Sequence, residues 1–98
     1  MNEYMIEIEL PRPMSAEFLS LIPSQRAMVN AQMADGKISS YMLSMDRSKL
    51  WVVVNAASAS EARGIIASFP IIAYVRFETH ELAFHEHMKT MLQQISLN

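Results

Sequence analysis

Lys49-Leu50-Trp51-Val52-Val53-Val54-Asn55 is the stretch that decides the fold. Successive residues of a strand point to opposite faces of a sheet, so an apolar residue at every position from Leu50 to Val54 asks for cover on both faces. The chain's own helices can cover one. The other needs a second sheet, which 98 residues with four strands do not supply, so a second copy of the chain is the expected cover.

Upstream, Asp46-Arg47-Ser48-Lys49 reads as a tight connection from a strand over Lys37 to Met45, which makes a hairpin. Placing Met45 opposite Leu50 sets Leu43 against Val52 and Tyr41 against Val54 on the helix-packed face. Ser44, Met42 and Ser40 then share the other face with Trp51, Val53 and Asn55. That second face is apolar in the middle and polar at its ends, which suits a lined cavity or a wet interface.

Further upstream, Ser15 is a good helix N-cap with Glu17 in the first turn, and Phe18, Leu19 and Ile22 begin an apolar stripe that resumes at Met28, Val29 and Met33. Pro23 interrupts it, so the spacing predicts a short helix, a kink, and a second helix that starts at Pro23 or Ser24 and stops at Asp35-Gly36. Before these helices, Tyr4, Ile6, Ile8 and Leu10 alternate with Met5, Glu7 and Glu9 as a half-buried strand ended by Pro11 and Pro13.

Downstream, Ser58-Ala59-Ser60-Glu61 has capping-box spacing, and Ala62, Ile65, Ile66 and Phe69 form the buried stripe of the helix it opens. Pro70 closes that helix. Ile71 to Leu82 reads as the last strand, with Ile71, Ala73, Val75 and Phe77 toward the helices and Tyr74, Arg76, Glu78 and His80 on the other face. Met88, Met91, Leu92 and Ile95 recur at helical spacing and predict a C-terminal helix over 84–96. The resulting order is strand, helix, strand, strand, helix, strand. This is the α+β ferredoxin-like βαββαβ arrangement, a four-stranded antiparallel sheet with two helices on one face, read as a single domain over 1–98 with its core over 3–82.

The 51% hydrophobic content supports a packed domain, whereas 18% charged residues and a net charge of −2 give no electrostatic footprint for nucleic acid or an anionic membrane. The chain holds 0 cysteines, so disulfides and thiolate metal sites are excluded. Met1-Asn2-Glu3-Tyr4 has neither the basic head nor the apolar run of a signal peptide, and no stretch approaches membrane-spanning length. A cytoplasmic protein is the expectation.

Phe69-Pro70-Ile71-Ile72-Ala73-Tyr74, followed by Glu78, resembles the muconolactone isomerase family of the dimeric α+β barrel superfamily. That family carries a leucine or phenylalanine, a proline, two apolar residues and a tyrosine at the start of the last strand, with an acid further along. A second proline often precedes the tyrosine, where this chain has Ala73. The resemblance implies a homodimer with its sheets face to face. It also implies a cofactor-independent isomerase acting on a small lactone or enol-type organic acid in a cavity between them. The superfamily also holds oxygenases and proteins without a known reaction, so a non-catalytic dimeric module that binds a small apolar ligand, or serves structure alone, stands as the alternative.

On the face left open by the helices, the first and last strands are expected to be antiparallel neighbours, bringing Glu7 and Glu9 near Arg76, Glu78 and His80. An acid and a histidine in a partly dry cavity suffice to move a proton between two carbons beside a carbonyl, because desolvation raises a carboxylate's pKa. Glu78 and His80 are the catalytic candidates. Glu7, Met42, Trp51, Tyr74 and Arg76 are the candidate substrate contacts, the aromatic and methionine side chains offering adaptable apolar surface. The same residues also fit a structural pattern, with Arg76 bridging two glutamates in a cross-strand ladder and Trp51, Tyr74 and Met42 packed as interface core. His85-Glu86-His87 invites a metal, but residues two apart on a helix do not face each other, and no metal site is expected. Arg26, just after the kink, fits a solvated helix face or, as the alternative, the mouth of a cavity.

Overall fold

The computed structural model describes residues 2–86 and residue 88. Its elements run β1 (Asn2–Glu9), α1 (Ala16–Ser20), α2 (Ile22–Ala34), β2 (Ile38–Leu43), β3 (Lys49–Ala56), α3 (Ala59–Ala67), a 3-10 turn (Ile72–Tyr74) and β4 (Arg76–Glu81). The strands form one four-stranded sheet in the order β2-β3-β1-β4, all pairs antiparallel. β1 and β3 are central, which is why both bury apolar residues so completely.

Alternation builds the helix-covered face. Tyr4, Ile6 and Ile8 from β1 and Leu50, Val52, Val54 and Ala56 from β3 are buried in one cluster with Phe18, Val29, Ala62, Ile66, Phe69 and Ile71. Ser15 Oγ accepts from Phe18 N at 3.1 Å and starts α1. Leu21 serves as the joint with Pro23 in the first turn of α2, so the kink falls where the proline requires it. Gly36 closes that helix at φ 77, in the left-handed region that favours glycine. Ser58 Oγ accepts from Glu61 N at 3.1 Å and caps α3. Among the described residues no helix is long and apolar enough to cross a membrane.

Three expectations need correction, and a fourth lies outside the described residues. The hairpin register is shifted by two residues: Leu43, not Met45, lies opposite Leu50, and Tyr41 lies opposite Val52. The cause is a longer turn, in which Ser44 N donates to Lys49 O at 2.9 Å and the Asp46 carboxylate accepts from Ser44 Oγ, Ser48 N and Ser48 Oγ. A shift of two preserves the faces. A bulge at Ser39 then returns Ile38 to the buried face opposite Val54.

The last strand begins at Arg76, not Ile71, because the chain first makes the tight turn Ile72–Tyr74. Tyr74 therefore leaves the open face. The core-facing stripe of α2 also differs from the expected one. Gln25, Val29 and Gln32 are buried, while Met33 is 42% exposed. Positions 22, 25, 29 and 32 share one helix face, and the glutamines on it are held by specific bonds: Ile71 N donates to Gln25 Oε1 at 3.4 Å, and Gln32 Nε2 donates to Ser68 Oγ at 3.3 Å. Lastly, the expected C-terminal helix over 84–96 falls almost wholly outside the described residues, and Phe84, His85 and Glu86 are irregular.

Candidate functional site

The face opposite the helices collects the polar and titratable groups. β1 contributes Glu3, Met5, Glu7 and Glu9; β3 contributes Lys49, Trp51, Val53 and Asn55; β2 contributes Met42; and β4 contributes Arg76, Glu78 and His80. Register brings them together in rows. Glu7 lies between Trp51 on one side and Glu78 on the other, Met5 lies between Val53 and His80, and Glu9 lies between Lys49 and Arg76.

Glu7 is the best-held charge of the face. Trp51 Nε1 donates to its Oε1 at 3.2 Å and Lys49 Nζ to its Oε2 at 3.2 Å. The Trp51 and Lys49 donors hold the Glu7 carboxyl below the usual carboxylate range, so Glu7 stays ionised at neutral pH and fixes the indole edge-on to the carboxylate. The sequence carried the signal for this triad: in a sheet with β1 central, Glu7 has cross-strand neighbours on both sides, and only the β4 side entered the expectation.

His80 Nε2 lies 3.7 Å from Glu78 Oε2, both on the outer strand, with side chains 55% and 75% exposed respectively. The expected ladder with Arg76 bridging two glutamates is not formed. Arg76 stands opposite Glu9, yet among the described residues it makes no ion pair. Both side chains are exposed there, where an ion pair gains little over hydration.

Tyr74 sits at the end of the sheet. Its ring meets Phe18 edge-on with centroids 6.0 Å apart, and its hydroxyl donates to Glu17 Oε2 at 3.3 Å. It shares a cleft of about 340 Å³ with Arg76, Glu9, Lys49 and Arg12, so Tyr74 and Arg76 do come together, but at the rim and away from Trp51.

Met42 is 42% exposed beside half-buried Trp51, whereas Val53 is only 2% exposed although it points to the open face. At the far end of this face the chain's own tail returns: Leu82 N donates to Glu3 O at 2.9 Å, and His85 Nδ1 lies 3.3 Å from Glu3 Oε2.

No family model matches the chain, and neither does any curated protein. Solved structures do match. The crystal structure of muconolactone isomerase aligns with a TM-score of 0.69 at 14% sequence identity, over 85% of this chain and 90% of that one. This chain has the fold of muconolactone isomerase.

Proposed function

We propose that the chain works in the cytoplasm as a homodimer whose open sheet faces meet. In the cleft between them Glu78 and His80 move a proton on a small lactone or enol-type organic acid without a cofactor. The observation that carries this reading is the contact of Glu78 with His80 on the face no helix covers, next to a glutamate already committed to staying charged.

Each group has a distinct part. Glu78 takes the proton from the saturated carbon at the far end of the conjugated carbonyl system, His80 delivers one to the carbon beside the carbonyl of the resulting dienolate, and the proton on Glu78 passes back to His80 across their 3.7 Å contact. Bringing a second sheet over the pair removes water from it and holds both groups against the reacting carbons. Glu7, held as an anion and a weaker base by Trp51 and Lys49, sets the orientation of the indole on which a flat ligand rests. Arg76, with no ion pair of its own among the described residues, is the cation available to a substrate carboxylate. The likeness in fold to muconolactone isomerase supports the reaction class.

A second reading, a non-catalytic dimeric module that binds a small ligand, is favoured by the exposure of Glu78 and His80 in the single chain. The two readings separate on isotope exchange. With muconolactone in heavy water, the wild-type protein should catalyse deuterium uptake beside the carbonyl, and Glu78→Gln should slow it by about a hundredfold or more while leaving the circular dichroism unchanged. Equal rates for the two proteins would remove the catalytic role.

A further inference from the structure

Three strand ends meet at the rim cleft beside Tyr74. β1 stops at Glu9 and the chain leaves through Pro11, β3 starts at Lys49 and β4 at Arg76, and the gap between them is the cleft of about 340 Å³. Leu10 N donates to Ser48 O at 2.9 Å, which ties the exit of β1 to the entry of β3 and so fixes the two segments that carry Arg12 and Lys49. Leu10, Pro11 and the Tyr74 ring supply its apolar surface.

Charge sets this cleft apart. The protein as a whole carries a net charge of −2, yet Arg12, Lys49 and Arg76 line the cleft against a single carboxylate, Glu9. Each cation keeps donors to spare. Arg12 engages only Nη2, which donates to Asp46 O at 3.1 Å and lies 3.3 Å from Asp46 Oδ2, so Nε and Nη1 are left. Lys49 Nζ donates to Glu7 Oε2 at 3.2 Å and keeps its other N–H groups. Glu9 stands opposite both Lys49 and Arg76 but pairs with neither, and Arg76 makes no ion pair among the described residues. The Arg12–Asp46 side chains are 60% and 65% exposed, where pairing is weak, so Arg12 is free to turn to a more highly charged partner.

We propose that the cleft binds a phosphate monoester, with the terminal oxygens among Arg12, Lys49 and Arg76 and a small ester body along Leu10, Pro11 and the Tyr74 ring. Cations from three separate segments match a group with three terminal oxygens and about two negative charges better than a carboxylate, which has fewer of both. A phosphate group alone leaves most of the cleft unfilled, and the apolar surface beside it is where the ester body lies. The site shares Arg76 with the open face and goes beyond the reaction proposed above, since its occupancy needs neither Glu78 nor His80.

The test uses phenyl phosphate, phenyl sulfate and benzoate as probes, with backbone amides observed by NMR and affinities taken from calorimetry. No turnover is read, so this result and the deuterium-exchange result fail independently. Phenyl phosphate should shift the amides of Arg12, Ser48, Lys49 and Arg76 saturably. It should bind about tenfold more tightly than phenyl sulfate, which has the same three oxygens but a single charge, or than benzoate. Arg12→Gln and Arg76→Gln, both at exposed positions that leave the core intact, should each weaken it about tenfold, while Arg63→Gln on α3, outside the cleft, should leave it unchanged. Glu9→Gln, which removes the opposing carboxylate, should tighten it several-fold, a gain that misfolding cannot imitate. Cleft amides that do not move, equal affinity for the phosphate and sulfate esters, equal losses in Arg63→Gln and Arg76→Gln, or no tightening in Glu9→Gln would each overturn the proposal.

Discussion

Glu7 and Asp46 are the two carboxylates whose surroundings most favour their charged forms. Glu7 is held by Trp51 and Lys49, and Asp46 by the hydroxyl and amide of Ser48, the hydroxyl of Ser44 and Arg12 at 3.3 Å, each carboxyl lying below its ordinary range. Because the folded value is below the unfolded one, each contribution to stability is fully present above the unfolded pKa and is lost as pH falls through the folded value. Thermal melts taken from about pH 5 downward should therefore show falling stability. Asp46→Asn should flatten that slope more than Glu7→Gln does, since more donors converge on Asp46. An unchanged acid slope in Asp46→Asn would mean the turn does not depend on that charge. Glu7 was legible in the sequence as an open-face acid, but its partner was not, because periodicity assigns faces and leaves cross-strand neighbours to the register. Gln25 and Gln32 escaped for a related reason. A stripe drawn through apolar residues alone passes over polar ones that share the buried face.

Elements were read best where two independent signals agreed. The Leu50–Val54 run was read as a strand covered on both faces because an apolar residue at every position and a hairpin signal pointed the same way, and β3 is buried on the helix side accordingly. The helix pair broke where Pro23 demanded. Ile71–Val75 misled because two adjacent isoleucines followed by alternation fit a strand on paper, whereas the chain leaving α3 must fold tightly after Pro70 to bury Phe69 and Ile71 together. That arrangement displaced Tyr74, one of the candidate contacts, to the sheet end. α3 docks through Ala62 and Ile66, both fully buried, against β3 and β4. Ile66→Ala should therefore cost about 2–5 kcal/mol in urea unfolding, with the slope of the transition unchanged, while Arg63→Ala on the exposed side of the same helix should cost well under about 1 kcal/mol. Similar losses for both would mean that α3 packs by a different face.

At the scale of the whole molecule, the helices cover one face of the sheet and leave the other with Trp51, Met5 and Met42 among charged groups. The sequence raised the expectation that this face takes a partner; it did not show that Val53 is already buried within one chain, or that Glu3 at its far end is engaged by the chain's own tail at His85. Substituting Val53 would therefore test folding before assembly. Met42, exposed in the single chain, tests assembly alone, and a charge placed there would have to be desolvated in a face-to-face pair. The decisive measurement is the molar mass in solution by light scattering, wild type beside Met42→Glu, with circular dichroism confirming that both are folded. Pairing through the open face predicts the mass of two chains for the wild type and of one for the folded variant. A folded wild-type monomer, or a dimer indifferent to Met42→Glu, would contradict it.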